Sequence, residues 1–172
     1  MTQQDKLTEL LNKQDLMNLS IEYCHAVDRG DTDLMLSLWW PEAEVDVGVF
    51  KGNALEYAKV ITAPNEALKR CYHSVSNPIY KIDGTKARGQ VYVNAATTTV
   101  ADGEESQGLV GGRYVDEYEL RDGVWKFLFR AFVIDWAYNF NGKDVWAGDL
   151  MSVFSYQGQT GEKDFGRQFL AS

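Results

Sequence analysis

Three aspartate–glycine pairs, Asp83-Gly84, Asp102-Gly103 and Asp122-Gly123, punctuate the second half of the sequence. Each stands between runs rich in β-branched and aromatic residues. Glycine accepts the positive φ that a tight hairpin turn demands, so such a pair between apolar runs is a strong hairpin signal. Three in succession describe an antiparallel meander. The spacing predicts strands over residues 79–82, 86–100, 109–120 and 124–138. Gly111-Gly112 falls inside one of them and predicts a bend or bulge there.

Ahead of the meander the apolar period is helical. Leu16, Leu19, Tyr23, Cys24 and Val27 recur at helix spacing. Thr2 and Asp5 have the spacing of a capping box, and Gly30 is a good helix stop. A long helix is predicted at about residues 5–28. Asp31 or Thr32 starts a short second helix through DLMLSLWW, which Pro41 ends. EVDVGVF, at 44–50, alternates like a half-buried strand. NALEYAKVI predicts a third helix and NEALKRCY a further helical piece. Asn77-Pro78 marks a break, with Asn77 as a turn former.

Helices first and strands afterwards indicate an α+β domain: three N-terminal helices packed on a curved, mainly antiparallel sheet that encloses a pocket. The domain is expected over residues 1–138. Residues 139–172 lack clear periodicity but carry Trp146, Met151, Phe154, Tyr156 and Phe165. A tail with such apolar anchors is expected to cover the pocket mouth or a neighbouring subunit.

Composition narrows the function. A chain of 172 residues can bury a core without disulfides or metals. A net charge of -8 argues against nucleic acid and against an anionic membrane surface. Cys24 and Cys71 make neither a disulfide framework nor a zinc site. The polar N-terminus has no apolar signal core and no run approaches a membrane span, so a cytoplasmic protein with reduced thiols is expected. There is no P-loop, no GxGxxG between strand and helix, and no clustered zinc ligands, so no cofactor and no metal is expected. Aromatic residues make up 13% of the chain, enough for a filled core or for the wall of an apolar pocket.

Four motifs stand in order along the chain: YCHAVDRGD at 23–31, HSVSNP at 73–78, GGRYVDEYELRDGVWKF at 111–127 and RAFVIDW at 130–136. Together they resemble the SnoaL-like group of the NTF2-like superfamily, which includes scytalone dehydratase, hexachlorocyclohexane dehydrochlorinase and bile-acid 7α-dehydratase. The resemblance covers roughly residues 5–138 and implies a cone-shaped fold around one pocket. It also implies a catalytic Asp–His dyad, here Asp28 at the end of the first helix and His73 before the meander. Arg130 on the last strand and Tyr23 on the first helix match two further catalytic positions. The second pocket histidine of scytalone dehydratase has no counterpart, because the chain holds only His25 and His73.

The residue types suit proton transfer. Histidine titrates near neutrality, and a carboxylate on one ring nitrogen fixes the tautomer and stabilises the imidazolium. Arg130 or Tyr23 could stabilise a developing oxyanion. Each candidate has a plainer reading: Asp28 as a solvated helix end, His73 as a core or loop residue, Arg130 as a partner of Asp116, and Tyr23 as core. Tyr23 and Asp28 also stand about 140° apart around an ideal helix, so both serve one pocket only if it wraps the helix end. Alternation places Arg130 with Lys126, Leu128 and Phe132, opposite Phe127 and Phe129. Trp39, Trp40, Tyr114, Phe132, Trp136 and Asn77 are candidate substrate contacts, the aromatic ones also core candidates. His25 lies one residue off the apolar stripe and is expected on the surface.

The leading expectation is a cofactor-independent lyase acting on a hydroxylated aromatic or polycyclic small molecule, by dehydration or loss of a one-carbon fragment. An isomerase or polyketide cyclase would use the same pocket. A non-catalytic binding or assembly subunit would need no Asp–His pair. A homodimer or homotrimer is expected from the family habit and the aromatic-rich sheet.

Overall fold

The computed structural model describes residues 2–141 and 159–171. Helix α1 (Gln3–Arg29) opens with the anticipated capping box: Asp5 N donates to Thr2 Oγ1 and Thr2 N to Asp5 Oδ2. Gly30 ends it in the left-handed conformation, φ 63°. The stripe from Leu16 to Val27 is buried, and α1 packs chiefly against the first meander strand and reaches the last one. His25 is exposed, as its offset from that stripe predicts. Asp31 caps the short α2 (Thr32–Ser37) by accepting from Leu34 N at 3.1 Å.

Trp39 and Trp40 leave the helical path expected for them. They open β1 (Trp39–Asp46), and Pro41 lies inside that strand. A residue before proline is driven towards extended conformations, which favours the strand for Trp40. The pairing of β1 slips between Trp39 and Glu44, an irregular stretch where a missing N–H is tolerated. The predicted strand at 44–50 therefore ends early, at Asp46, and a turn through Gly48 leads to β2 (Lys51–Asn53). Asn53 caps α3 (Ala54–Ile61) through Leu55 N and Glu56 N.

NEALKRCY is not helical: its first three residues are loop and turn. Strand β3 (Leu68–Asp83) begins within it. Its apolar spacing fits either structure locally, and pairing with β4 (Lys86–Ala101) decides, with Arg70 opposite Thr98 and Cys71 opposite Thr97. Asn77-Pro78 does not break this strand. Asn77, at φ 49°, forms a bulge as the register passes from Ser76–Tyr92 to Ile79–Gln90. The predicted strand at 79–82 is thus the end of a 16-residue one.

β5 (Glu104–Arg121) and β6 (Val124–Asn141) complete the meander, β6 running three residues past the predicted end. Asp102-Gly103 and Asp122-Gly123 form two-residue turns with positive φ at both positions. In the first hairpin Asp83 stays paired with Lys86, and Gly84, φ 57°, turns the chain with Thr85. The sheet order is β2-β1-β6-β5-β4-β3, antiparallel except for the parallel β1–β6 pair.

Two bulges on β6 curve the sheet. At Gly111/Gly112 the register leaves Asp135 as an extra residue, the bulge that the glycine pair predicts. At Glu117/Tyr118 it leaves Leu128 extra. The second bulge shifts the alternation, so Phe127 and Arg130 share the buried face where simple alternation puts them on opposite faces.

Beyond β6, a 3-10 turn (Gly161–Lys163) and α4 (Phe165–Ala171) return to the end of α1. There Arg29 donates to Gln159 O at 3.2 Å and pairs with Asp164 at 3.7 Å. Phe165 is partly exposed and packs on Phe169. Trp146, Met151, Phe154 and Tyr156 lie outside the described residues. Among the described residues no helix is long and apolar enough to cross a membrane.

Candidate active site

The last turn of α1 and the middle of β3 meet at one point. Asp28 is buried there, 6% exposed, although it ends a helix. Its Oδ1 lies 2.6 Å from His73 Nδ1, and its Oδ2 accepts the His73 backbone N–H at 2.9 Å. With both oxygens held, the carboxylate orients the ring and assigns the Nδ1 proton to the shared bond. Nε2 is then the basic nitrogen. Cys71 stands two residues before His73, on the same face of β3, with Sγ 3.7 Å from Nδ1.

His73 forms part of the wall of a cavity of about 270 Å³. Tyr23 and Val27 contribute from α1, Val47 and Val49 from the turn after β1, and Tyr57 and Ile61 from α3. Strands β3 to β6 supply Leu68, Cys71, Val93, Ala95, Thr97, Val110, Tyr114 and Phe132. The lining is mostly apolar, with a few polar atoms at defined places, as small-molecule sites are. Asp28 is not a wall residue. It reaches the cavity through the imidazole, which is how Tyr23 and Asp28 serve one site from different sides of α1.

Tyr57 is the residue that the sequence reading missed. Its hydroxyl lies 2.7 Å from that of Tyr23. The available signal was the apolar face of NALEYAKVI behind its Asn53 cap, which puts Tyr57 inward. Burial raises the pKa of both phenols, so they remain O–H donors. One hydrogen serves the bond between them and the other is left to donate. Burial also pushes the Cys71 thiol up to about 12, reinforced by the Asp28 carboxylate.

Arg130 does not line the cavity. It is fully buried, 0% exposed, and its alternative partner holds it. Its Nε donates to Asp116 Oδ1 at 2.8 Å and its Nη2 to Oδ2 at 2.9 Å, with Ser20 Oγ at 3.1 Å from Nη2. Tyr118 donates to the same carboxylate at 2.7 Å. The guanidinium carbon lies 4.0 Å from the ring centroid of Tyr114, 4.3 Å from that of Tyr23 and 4.2 Å from that of Phe127. Burial works against its charge, and Asp116 more than offsets that, so its pKa is raised. The cation stands behind the tyrosines.

Four of the candidate contacts lie elsewhere. Trp39 is buried against Phe127, its ring spent on core packing. Trp40 points the other way along β1, donating to Glu119 O with Arg121 over its ring. Trp136 is 43% exposed, turned outward beside Tyr138 by the Asp135 bulge. Asn77 is exposed in the β3 bulge. Tyr114 and Phe132 do line the cavity.

Among the described residues, Asp28, Cys71 and His73 could offer three metal-binding atoms, all within 4.8 Å of one another. Two ligands of one tetrahedral zinc, each about 2.0–2.2 Å from the ion, sit well over 3 Å apart. The 2.6 Å Asp28–His73 contact is shorter than that, and its geometry is that of a shared proton.

The comparisons agree with this architecture. A model of the SnoaL-like domain family matches residues 8–131. The chain belongs to that family. This SnoaL-like protein is 30% identical over 132 residues to gamma-hexachlorocyclohexane dehydrochlorinase of Sphingobium indicum, across 72% of this chain and 81% of that one. The crystal structure of LinA superposes with a TM-score of 0.69 at 27% identity, over 80% of this chain and 95% of that one. A putative scytalone dehydratase from Novosphingobium aromaticivorans shares the fold, with a TM-score of 0.69 at 19% identity over 80% of this chain and 93% of that one. Helices on a curved, mixed sheet make this SnoaL-like domain an NTF2-like α+β cone.

Proposed function

We propose that this protein is a cofactor-independent lyase in which His73 is the base and Asp28 orients it. The observation that carries this reading is the 2.6 Å Asp28–His73 bond at the wall of an apolar cavity. His73 Nε2 takes a proton from a substrate carbon. The released electron pair forms a double bond to the adjacent carbon, whose leaving group departs. The imidazolium is stabilised by Asp28. The Tyr23–Tyr57 pair donates its free O–H to the departing or conjugated oxygen, and Arg130 behind the Tyr23 ring favours that polarisation.

The substrate class follows from the wall. Among the described residues no lysine or arginine lines the cavity, which supports a neutral reacting end for the substrate. The volume is just below the range of roughly 300–1,000 Å³ for drug-sized ligands, which suits a compact hydroxylated aromatic or polycyclic compound. Dehydration is the default reaction, and expulsion of a one-carbon fragment uses the same deprotonation. The relationship to dehydrochlorinases supports elimination over isomerisation or cyclisation. A purely binding subunit has no use for the held imidazole.

Exposed Trp136, Tyr138 and Phe140, on one face of β6, support assembly into a homodimer or homotrimer, since so apolar a strand face is unusual on a monomer. Two free, buried thiols suit a reducing cytoplasm. The test is a turnover screen over hydroxylated aromatic and steroid-like compounds with mass analysis of products. On the compound that loses water or a one-carbon fragment, His73→Ala should lower kcat by a factor on the order of 10²–10⁴. The double variant with Asp28→Asn should be little worse than either single one. Near-native turnover by His73→Ala would overturn the dyad.

A further inference from the structure

Among the described residues, the cavity wall carries side-chain hydroxyls at two places. Three belong to the phenols Tyr23, Tyr57 and Tyr114, and the fourth is that of Thr97 on β4. Strand pairing gives their order. β4 passes Tyr114 at Val91, His73 at Ala95 and Cys71 at Thr97. Two residues advance a strand by about 7 Å, so Thr97 stands about that far beyond the level of His73, on the side away from Tyr114. Tyr23 lies on the Tyr114 side, with ring centroids 5.4 Å apart, and its hydroxyl meets that of Tyr57 at 2.7 Å. His73 is thus set between two polar ends of one cavity.

The position of the Thr97 hydroxyl is built by its neighbours. Thr97 opens a run of three threonines, and alternate residues of a strand face opposite sides of the sheet. On the far face the Thr98 hydroxyl is spent, donating to Gln107 Oε1 at 2.7 Å. On the cavity face the Thr97 hydroxyl has no hydrogen-bond partner among the described residues. A polar group in a mostly apolar wall is unfavourable until something bonds to it, and valine has the same shape without that penalty. Opposite Thr97 on β5 stands Gly108. A Cβ there would lie 2.8 Å from Thr97 Oγ1, so glycine at this place leaves the hydroxyl its site. The neighbouring wall residues Leu68, Ala95 and Val110 have no polar side-chain atoms. Cys71 beside it is a weak donor whose sulfur lies 3.7 Å from His73 Nδ1.

We propose that Thr97 is a specificity-determining residue whose hydroxyl binds a second oxygen of the substrate, on the side of His73 opposite the phenols. This rests on the lyase reading and narrows its substrate to a compact ring compound oxygenated at both ends. The phenols take one oxygen and Thr97 the other, and the carbon between them is presented to His73 Nε2. A threonine hydroxyl both donates and accepts, so the second oxygen is a hydroxyl or a carbonyl. A site built around such a bond rejects the analogue that lacks the oxygen, because the wall hydroxyl is then left unpaired.

The test is isothermal titration calorimetry with two probes: beta-naphthol, and the naphthalenediol that adds a hydroxyl at the far end of the same ring system. The wild type should bind the diol more tightly by about fivefold or more, as one net hydrogen bond predicts. In Thr97→Val the two affinities should agree within about twofold, with beta-naphthol unchanged because valine keeps the shape. Thr97→Ser should keep the preference. Gly108→Ala keeps Thr97 in the chain but displaces its hydroxyl, and should lose the preference. No preference in the wild type, a preference that survives in Thr97→Val, or an equal loss for both probes in that variant overturns the proposal. If the valine variant fails to fold, Gly108→Ala set against Thr97→Ser makes the same comparison. The preference should persist in His73→Ala, since the base has no part in it. Turnover without a preference defeats the role of Thr97 alone, and a preference without turnover defeats the lyase reading alone.

Discussion

Replacing Arg130 by methionine separates a structural cation from a catalytic one. The change removes two hydrogen bonds of 2.8 and 2.9 Å to Asp116 and leaves that carboxylate buried with only the Tyr118 hydroxyl bonded to it among the described partners. Both members of the pair have fully buried side chains, so water does not replace the lost partner. Breaking such a pair by removing one member costs about 3–5 kcal/mol. Methionine refills part of the volume but does not reproduce the contacts to three aromatic rings. Against a total stability of about 5–15 kcal/mol, this is a large fraction of the margin. With an m-value of about 2 kcal/mol per M of urea, a loss of about 4 kcal/mol lowers the unfolding midpoint by about 2 M. Urea titration followed by tryptophan fluorescence measures this, since Trp39 and Trp125 are buried in the core. Arg130→Met combined with Asp116→Leu should recover much of the loss, because an apolar pair replaces the orphaned charge. If Arg130→Met keeps its urea midpoint within about 0.5 M of the wild type and yet abolishes turnover, the guanidinium acts on the substrate and the structural account is wrong.

Three further outcomes are expected. Gly112→Ala would place a Cβ 2.2 Å from Val133 O, a backbone atom that cannot swing away, so differential scanning calorimetry should show a loss of about 1–3 kcal/mol; an unchanged Tm would contradict the tight approach at the bulge. Tyr57→Phe leaves Tyr23 without its 2.7 Å partner and should cost about 1 kcal/mol in denaturant titration, with a drop in kcat at unchanged KM if the phenol pair stabilises the departing oxygen. Cys24 and Cys71 both have thiols raised to about 12, so they remain S–H up to that pH; at pH 8 the folded protein should react with a disulfide reagent on the order of a thousandfold more slowly than the unfolded chain, and fast labelling of native protein would contradict that environment.

The features legible in the sequence are those set within a few residues. The Thr2–Asp5 capping box, the Gly30 stop and the Asp-Gly turns at 102–103 and 122–123 form as anticipated, because torsional preference and local hydrogen bonding decide them. The α+β class follows from the order of periods. Asp28 and His73 were nameable through a family resemblance, but nothing local brings together residues 45 positions apart. Their 2.6 Å contact depends on how α1 settles on β3. The tertiary structure alone decided that residues 68–72 extend β3 instead of continuing a helix, because pairing with β4 outweighs an ambiguous apolar spacing. It placed the bulge at Leu128, which brings Phe127 onto the buried face that Arg130 occupies. It also set Tyr57 against Tyr23 and Cys71 against His73. Register, bulge position and side-chain meeting points are settled when distant segments close on one another, and the free energy that selects them is absent from any short stretch of chain.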